Sequence, residues 1–278
     1  MNWGNVVNKL QRRPEPAVER STELDAMRVE PAPSSNELRP LPESDNTVRH
    51  VQFTKREPDL SPRANTKPWG KPSVRLLLPY DPFDPRSEKI RTLRTELVLR
   101  HQGREGANMV VMISPQNGEG RSQVAAELAV ACAQLGRRTL LVDADLRRPA
   151  QHILFMAKNH LGLAQAIARG EQPRCRPVEG LDNLMLVTAG PTPRNPLELL
   201  SDRAFRDLVE HWRANFDFVI IDTPPASRYA DALAVSSLVR RCVALARSGH
   251  TPYNDTRDMI RRLQATGSEV LGAVINHF

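Results

Sequence analysis

Six short runs of the sequence are aliphatic at nearly every position: Met109–Ile113, Thr139–Val142, Leu184–Val187, Phe218–Ile221, Cys242–Ala246 and Val270–Ile275. A strand with no polar alternation is buried on both faces, which is the habit of parallel sheets covered by helices. The stretches between these runs are longer and amphipathic. They predict helices over Ser87–His101, Gly120–Leu135, Leu161–Arg169, Leu197–Asn215, Ala230–Val239 and Pro252–Thr266. Strand–helix alternation of this kind predicts an α/β domain with a mostly parallel sheet between two helical layers. Aromatic residues make up only 5% of the chain, so the core must be packed from aliphatic side chains.

That pattern starts near residue 76. Before it, ten prolines fall among interleaved acidic and basic residues, and no hydrophobic period persists. Such a segment cannot bury enough apolar surface to offset the entropy of ordering it, so residues 1–75 are expected to form a disordered tail and 76–278 the folded domain. Within the tail, Trp3, Val6, Val7 and Leu10 could share one helical face from Met1 to Arg13. So short a helix is marginal alone, and a frayed terminus is the favoured reading. No run reaches the ~18–20 apolar residues that cross a bilayer, and the first residues carry no apolar secretory core. Neither an integral membrane protein nor a secreted one is expected. The three cysteines, Cys132, Cys175 and Cys242, form no CxxC pair and no disulfide framework, which suits a reducing cytoplasm. The net charge of +7 is spread as mixed signs rather than as a basic block, and no nucleic-acid partner is expected.

Ligands of such sheets lie at the carboxyl ends of the strands, and three strand ends here carry suggestive residues. The run MVVMI is followed by SPQNGEGRSQ and then a helix. A strand, a loop with Gly118 and Gly120, and a helix N-terminus make a cradle for anions, because backbone N–H groups and the helix dipole converge there. The P-loop pattern GxxxxGK[ST] is matched in part: Pro115 stands at the first glycine, Arg121 at the lysine, and Ser122 keeps the hydroxyl that can bind Mg2+. The second strand end, LLVDADLRRP, places Asp143 and Asp145 two residues apart. They could hold a cation or orient a nucleophile, or cap the strand with Arg147 as ion-pair partner. The third, VIIDTPP, ends in Asp222, and Pro224 and Pro225 turn the chain out of the sheet. An aspartate there can contact Mg2+ through water.

Ser114-Pro-Gln-Asn-Gly-Glu-Gly-Arg-Ser, LLVDADLRRP and VIIDTPP together resemble the bacterial tyrosine kinases (BY-kinases) of capsule and exopolysaccharide synthesis. These are P-loop ATPases related to partition and septum-placement ATPases. AGPTPRNPLELLSD (Ala189–Asp202) and EVLGAVINHF (Glu269–Phe278) resemble further segments of that family, and Glu88-x-x-Arg91-x-x-Arg94 resembles its ring-forming motif. The resemblance spans about residues 80–278. It implies a three-layer P-loop NTPase fold and ATP or ADP bound with Mg2+. The implied nucleotide contacts are Gly118, Glu119, Gly120, Arg121, Ser122 and Gln123, with the cation at Ser122, Asp143 and Asp222. Catalytic roles fall to Arg121, Asp143, Asp145 and Asp222. Glu88, Arg91 and Arg94 would join copies of the chain into a homo-oligomer. The partner implied is an inner-membrane polysaccharide co-polymerase, or chain-length determinant, which would hold a cytoplasmic protein at the inner membrane.

The chain departs from the family in two ways. Arg121 replaces the P-loop lysine and Gln123 the following threonine; the guanidinium keeps the charge but is bulkier and planar, so binding could survive while transition-state alignment suffers. Tyr80, Tyr229 and Tyr253 are the only tyrosines, so the family's C-terminal tyrosine cluster is missing from this sequence. Two readings stand beside an active kinase: a catalytically weak scaffold of the same system, and a partition-type ATPase. The latter's additional lysine early in the loop is absent, since Pro115, Gln116 and Asn117 stand there.

Overall fold

The computed structural model describes residues 68–101 and 108–277. The short amphipathic segment at Met1–Arg13 and most of the expected tail lie outside them. Helices are α1 (Pro85–His101), α2 (Arg121–Ala133), α3 (Gln151–Leu154), α4 (Leu163–Arg169), α5 (Pro196–Ser201), α6 (Arg203–Asn215), α7 (Asp231–Val239) and α8 (Tyr253–Ala265). Strands are β1 (Met109–Ile113), β2 (Thr139–Asp143), β3 (Arg176–Val178), β4 (Leu181–Val187), β5 (Phe218–Asp222), β6 (Arg241–Arg247) and β7 (Glu269–Asn276). They form one sheet in the order β3-β4-β2-β5-β1-β6-β7. Every neighbouring pair is parallel except β3 with β4. This is the mostly parallel α/β sheet that the alternation of apolar runs and amphipathic stretches predicts, in the three-layer P-loop NTPase form that the resemblance implies.

The period of two along each strand divides the core into two layers. On β1, Met109, Val111 and Ile113 face one way and pack with residues of α4 to α8. Val110 and Met112 face the other way and pack with α1, α2 and α3. The first layer is anchored by Trp212 and Phe205, whose rings meet edge to face with centroids 6.2 Å apart. The second is almost wholly aliphatic, and the face of α2 turned toward it is built from Val124, Ala125, Leu128, Ala129 and Cys132. Small side chains there let the helix after the loop lie close against the sheet.

The single helix predicted over Leu197–Asn215 is two helices. Asp202 lies between them in extended backbone (φ −69°, ψ 153°), and its side chain accepts from the Ala204 N–H at 2.7 Å. It is the N-cap of α6, and a capping aspartate ends one helix as it starts the next. The segment from 68 to 78 runs over the domain before α1 begins. Trp69 N–H donates to the Pro177 carbonyl, Glu179 N–H to the Gly70 carbonyl, and Ser73 N–H to the Leu154 carbonyl. Leu76 and Leu78 sink into the α1–α2–α3 layer. These contacts begin seven residues before the expected start of the folded domain. A Cβ at Gly70 would stand 2.3 Å from the Phe155 carbonyl oxygen, so only glycine allows the approach.

Candidate functional site

The strand order brings the ends of β2, β5 and β1 side by side, and the three motifs meet there. Gly118 (φ 76°) and Gly120 (φ 83°) occupy the left-handed region that the tight loop requires. Nothing lies within 4 Å of where a Gly118 Cβ would be, so that face of the loop is open. Among the described residues, the backbone N–H groups of Gly118, Glu119, Gly120, Arg121 and Ser122 meet no protein acceptor. Unpaired donors at the start of a thirteen-residue helix make an anion site.

The loop is braced from below by Glu119, whose side chain is buried. One carboxylate oxygen accepts from Gln116 N–H at 2.8 Å and the other from the Thr251 hydroxyl at 2.5 Å. Gln116 reaches Asp255 at 2.7 Å, and Asn276 donates to the Glu119 carbonyl at 3.2 Å. The loop is thereby tied to the N-terminal turn of α8 and the end of β7. The Glu119 side chain faces the protein, so what it can offer a phosphate is its N–H. The Gln123 side chain is likewise used away from the cradle, donating to the Arg75 carbonyl at 3.0 Å.

Arg121 does not extend into the cradle. Its side chain turns into the strand ends and is only 7% exposed. Nε donates to Asp222 Oδ1 at 3.1 Å, Nη1 to Ser114 Oγ at 2.8 Å, and Nη2 to Asp145 Oδ2 at 3.3 Å. One guanidinium thus ties together the ends of β1, β2 and β5. The planar fork spreads these three contacts over three separate nitrogens, whereas an ammonium carries all its donors on one. Asp143 and Asp222 are register partners on adjacent parallel strands, and both are fully buried. Burial holds the Asp143 carboxyl well above the usual carboxylate range, and the neighbouring Asp222 charge pushes it in the same direction. Asp145 is raised chiefly by burial, against the opposing pull of the Arg148 N–H and the Arg121 charge.

The other acceptors at the strand ends are also occupied. Asp143 Oδ2 accepts from the N–H groups of Ala150 (3.0 Å) and Gln151 (2.9 Å), and Oδ1 from that of Asp145 (3.2 Å). Gln151 Nε2 donates to Asp222 Oδ2 at 2.8 Å and to the Ser122 carbonyl at 2.9 Å, while its Oε1 is buried without a partner. Arg147 does not serve the DAD segment. It forks onto buried Asp231, with Nη2 3.0 Å from Oδ1, and lies over the Tyr229 ring at 4.0 Å.

A family profile described as "ParA: NUBPL iron-transfer P-loop NTPase" matches residues 106–277. The tyrosine-protein kinase YwqD of Bacillus subtilis (strain 168) is 34% identical over 197 residues, 70% of this chain and 83% of that protein. The chain belongs to the bacterial tyrosine kinase family of P-loop ATPases. The BY-kinase likeness extends to solved structures. The kinase domain of Escherichia coli tyrosine kinase ETK matches with a TM-score of 0.69 and 30% identity, over 76% of this chain and 82% of that domain. The chimerical protein CapA2B2 matches with a TM-score of 0.69 and 33% identity, over 76% of this chain and 93% of that one. Against the full-length tyrosine-protein kinase etk of E. coli (strain K12), 32% identity covers 73% of this chain and only 28% of the relative.

Two parts of the expected BY-kinase site behave differently. The loop and helix start fit a chain of phosphates, because five backbone donors stand free around an open face. The acidic part does not fit a divalent cation as arranged, because a guanidinium already sits between Asp145 and Asp222. Ser114 and Gln151 are the site residues that sequence reasoning missed. Ser114 opens a quoted motif, but nothing in its context says that it will receive Arg121. Gln151 lies beyond the DADLRRP segment with no motif of its own. Glu88 and Arg91 pair with each other at 3.2 Å on the exposed face of α1, whereas Arg94 donates to the Ala131 carbonyl at the end of α2. Cys132 and Cys242 are buried, and burial pushes both thiols up to about 12, far from the thiolate that reacts.

Proposed function

We propose that this BY-kinase relative binds ATP or ADP through the Gly118–Ser122 loop and uses nucleotide state to regulate exopolysaccharide or capsule production. Its partner would be a membrane chain-length determinant, with the protein peripheral at the inner membrane on the cytoplasmic side. The observation that carries the nucleotide reading is the row of unpaired N–H groups from Gly118 to Ser122 at the start of α2. The partner rests on family membership. Among the described residues no helix is long and apolar enough to cross a membrane. Glu88 and Arg91 are proposed for contacts between copies, since both lie on the outer side of α1. Arg94 would join them only by releasing the α2 carbonyl.

A specific observation favours the catalytically weak form of this reading. In a family member acting as a kinase, a tyrosine hydroxyl attacks the γ-phosphate while an aspartate helps to take its proton. Here every oxygen of Asp143, Asp145 and Asp222 already accepts at least one hydrogen bond from the protein. Two of the three carboxylates share an ion pair with Arg121. Carboxylates so engaged are held in place by the protein and cannot follow charge as it moves during phosphoryl transfer.

Calorimetric titration of the full chain with ADP and ATP, followed by phosphotyrosine detection, tests both parts. Binding that is lost on Gly120→Val, with little phosphotyrosine, is the expected result. No heat with either nucleotide would end the first reading. Robust phosphotyrosine abolished by Asp143→Asn would make the protein an ordinary kinase.

A further inference from the structure

We propose that Arg121 is an internal cation standing in for the divalent metal at this site, so that nucleotide phosphates bind the loop without Mg2+. The inference rests on the nucleotide reading above and adds how the site is charged. The residues that could gather a metal are the Ser122 hydroxyl and the carboxylates of Asp143, Asp145 and Asp222. Mg2+ takes near-octahedral oxygen ligation and approaches carboxylates through open lone pairs on one side. That side of Asp145 and Asp222 is filled by the guanidinium, at 3.3 Å and 3.1 Å. The remaining oxygens face inward. Asp222 Oδ2 meets Gln151, Asp145 Oδ1 meets the N–H groups of Arg147 and Arg148, and Asp143 meets three backbone N–H groups.

The guanidinium cannot make room by losing its proton, since arginine stays charged at any pH the fold tolerates. Bringing a second positive ion to the same carboxylates would set like charges together in a region of low dielectric. Nor is the side chain loosely placed: all three of its nitrogens donate, each to the end of a different strand. Three contacts leave two of its five N–H bonds uncommitted. The arrangement therefore supplies positive charge beside the cradle permanently. A lysine at 121, with its donors on one nitrogen, would not span the three strand ends as the fork does, and would return the acidic residues to a cation.

Two measurements on the full-length protein decide this. Fluorescent mant-ADP is titrated in EDTA and in millimolar Mg2+, and Mn2+ alone is titrated while its free-ion paramagnetic resonance signal is followed. The wild type is expected to bind mant-ADP equally in both media, within about twofold, and to leave Mn2+ free. Arg121→Ser is expected to take up Mn2+, and Arg121→Lys to gain about a tenfold Mg2+ dependence of mant-ADP binding. Wild-type binding tightened about tenfold or more by Mg2+, or Mn2+ bound by the wild type, would overturn the inference alone. Failure of mant-ADP to bind in either medium, with Mn2+ still free, would overturn the nucleotide reading instead. Should Arg121→Ser fail to fold, the wild-type and Arg121→Lys measurements still decide.

Discussion

Glu127 is a carboxylate on a helix whose neighbouring side chains are almost all apolar, and it is buried. Its oxygens accept from the N–H groups of Leu77 (2.6 Å) and Leu78 (3.1 Å), which pins the segment before α1 onto α2. Burial raises its carboxyl above the ordinary range, and the two N–H contacts only partly oppose this. A raised folded value means the stabilising contribution is complete below the ordinary carboxylate range and is lost as pH climbs through the folded value. Compared with Glu127→Gln, which cannot ionise, wild type should therefore lose relative stability as pH rises from about 4, then run parallel to it. Urea unfolding at a series of pH values measures this. A gap that does not change with pH would show that burial is not what sets the Glu127 carboxyl. The destination of Arg121 belongs to the same scale. The sequence shows an arginine where a lysine is expected, but not which way it turns. Its direction depends on Ser114, Asp145 and Asp222 arriving together, and that is a property of the strand order.

At the scale of elements, the legible parts are those with a strong period or a distinctive pair of glycines. The six aliphatic runs became six strands with parallel neighbours, five of them largely buried, whereas β7 at the sheet edge leaves Ile275 exposed. β3 was illegible: it has three residues, Arg176–Val178, one of them proline, and exists because it can pair antiparallel with β4. The four-residue α3 was hidden for a similar reason, since so short a helix carries no period. The break within Leu197–Asn215 turns on one residue, because the amphipathic pattern runs through it. Asp202→Ala should remove the cap of α6 and cost about 1 kcal/mol, while Asp202→Ser should cost less. In thermal unfolding, that loss corresponds to about 2–4 °C for a domain of this size. An alanine variant as stable as wild type would mean that tertiary packing alone fixes the break.

For the whole molecule, the question is where the folded unit begins. A change in composition marks the start near 76, yet Trp69, Gly70 and Ser73 already bond to the β3 region and α3. Composition could not show this, because the segment is held by backbone hydrogen bonds and two leucines rather than by a periodic face. Leu76 and Leu78 are 0% and 1% exposed. A chain beginning at residue 80 should thus be much less stable than one beginning at 68. Losing two buried leucines costs about 2–5 kcal/mol each, which for this size means a drop in Tm on the order of 10 °C or more. Equal melting temperatures for the two truncations would show that the segment merely lies on the surface.

The same segment has a consequence for the order in which the protein can assemble on the ribosome. Leu77 waits for Glu127, 50 residues further along the chain. Gly70 waits longer, for the bridge to Val178. At synthesis rates of about 5–20 residues per second, some 100 residues take on the order of 5–20 s to emerge. Until α2 and α3 have emerged, Leu76 and Leu78 lack the layer they pack into, and until β3 has emerged the start of the segment lacks its last partner. The earliest of the described segments is therefore among the last to complete its contacts, and a pause in translation before residue 178 would lengthen its exposure.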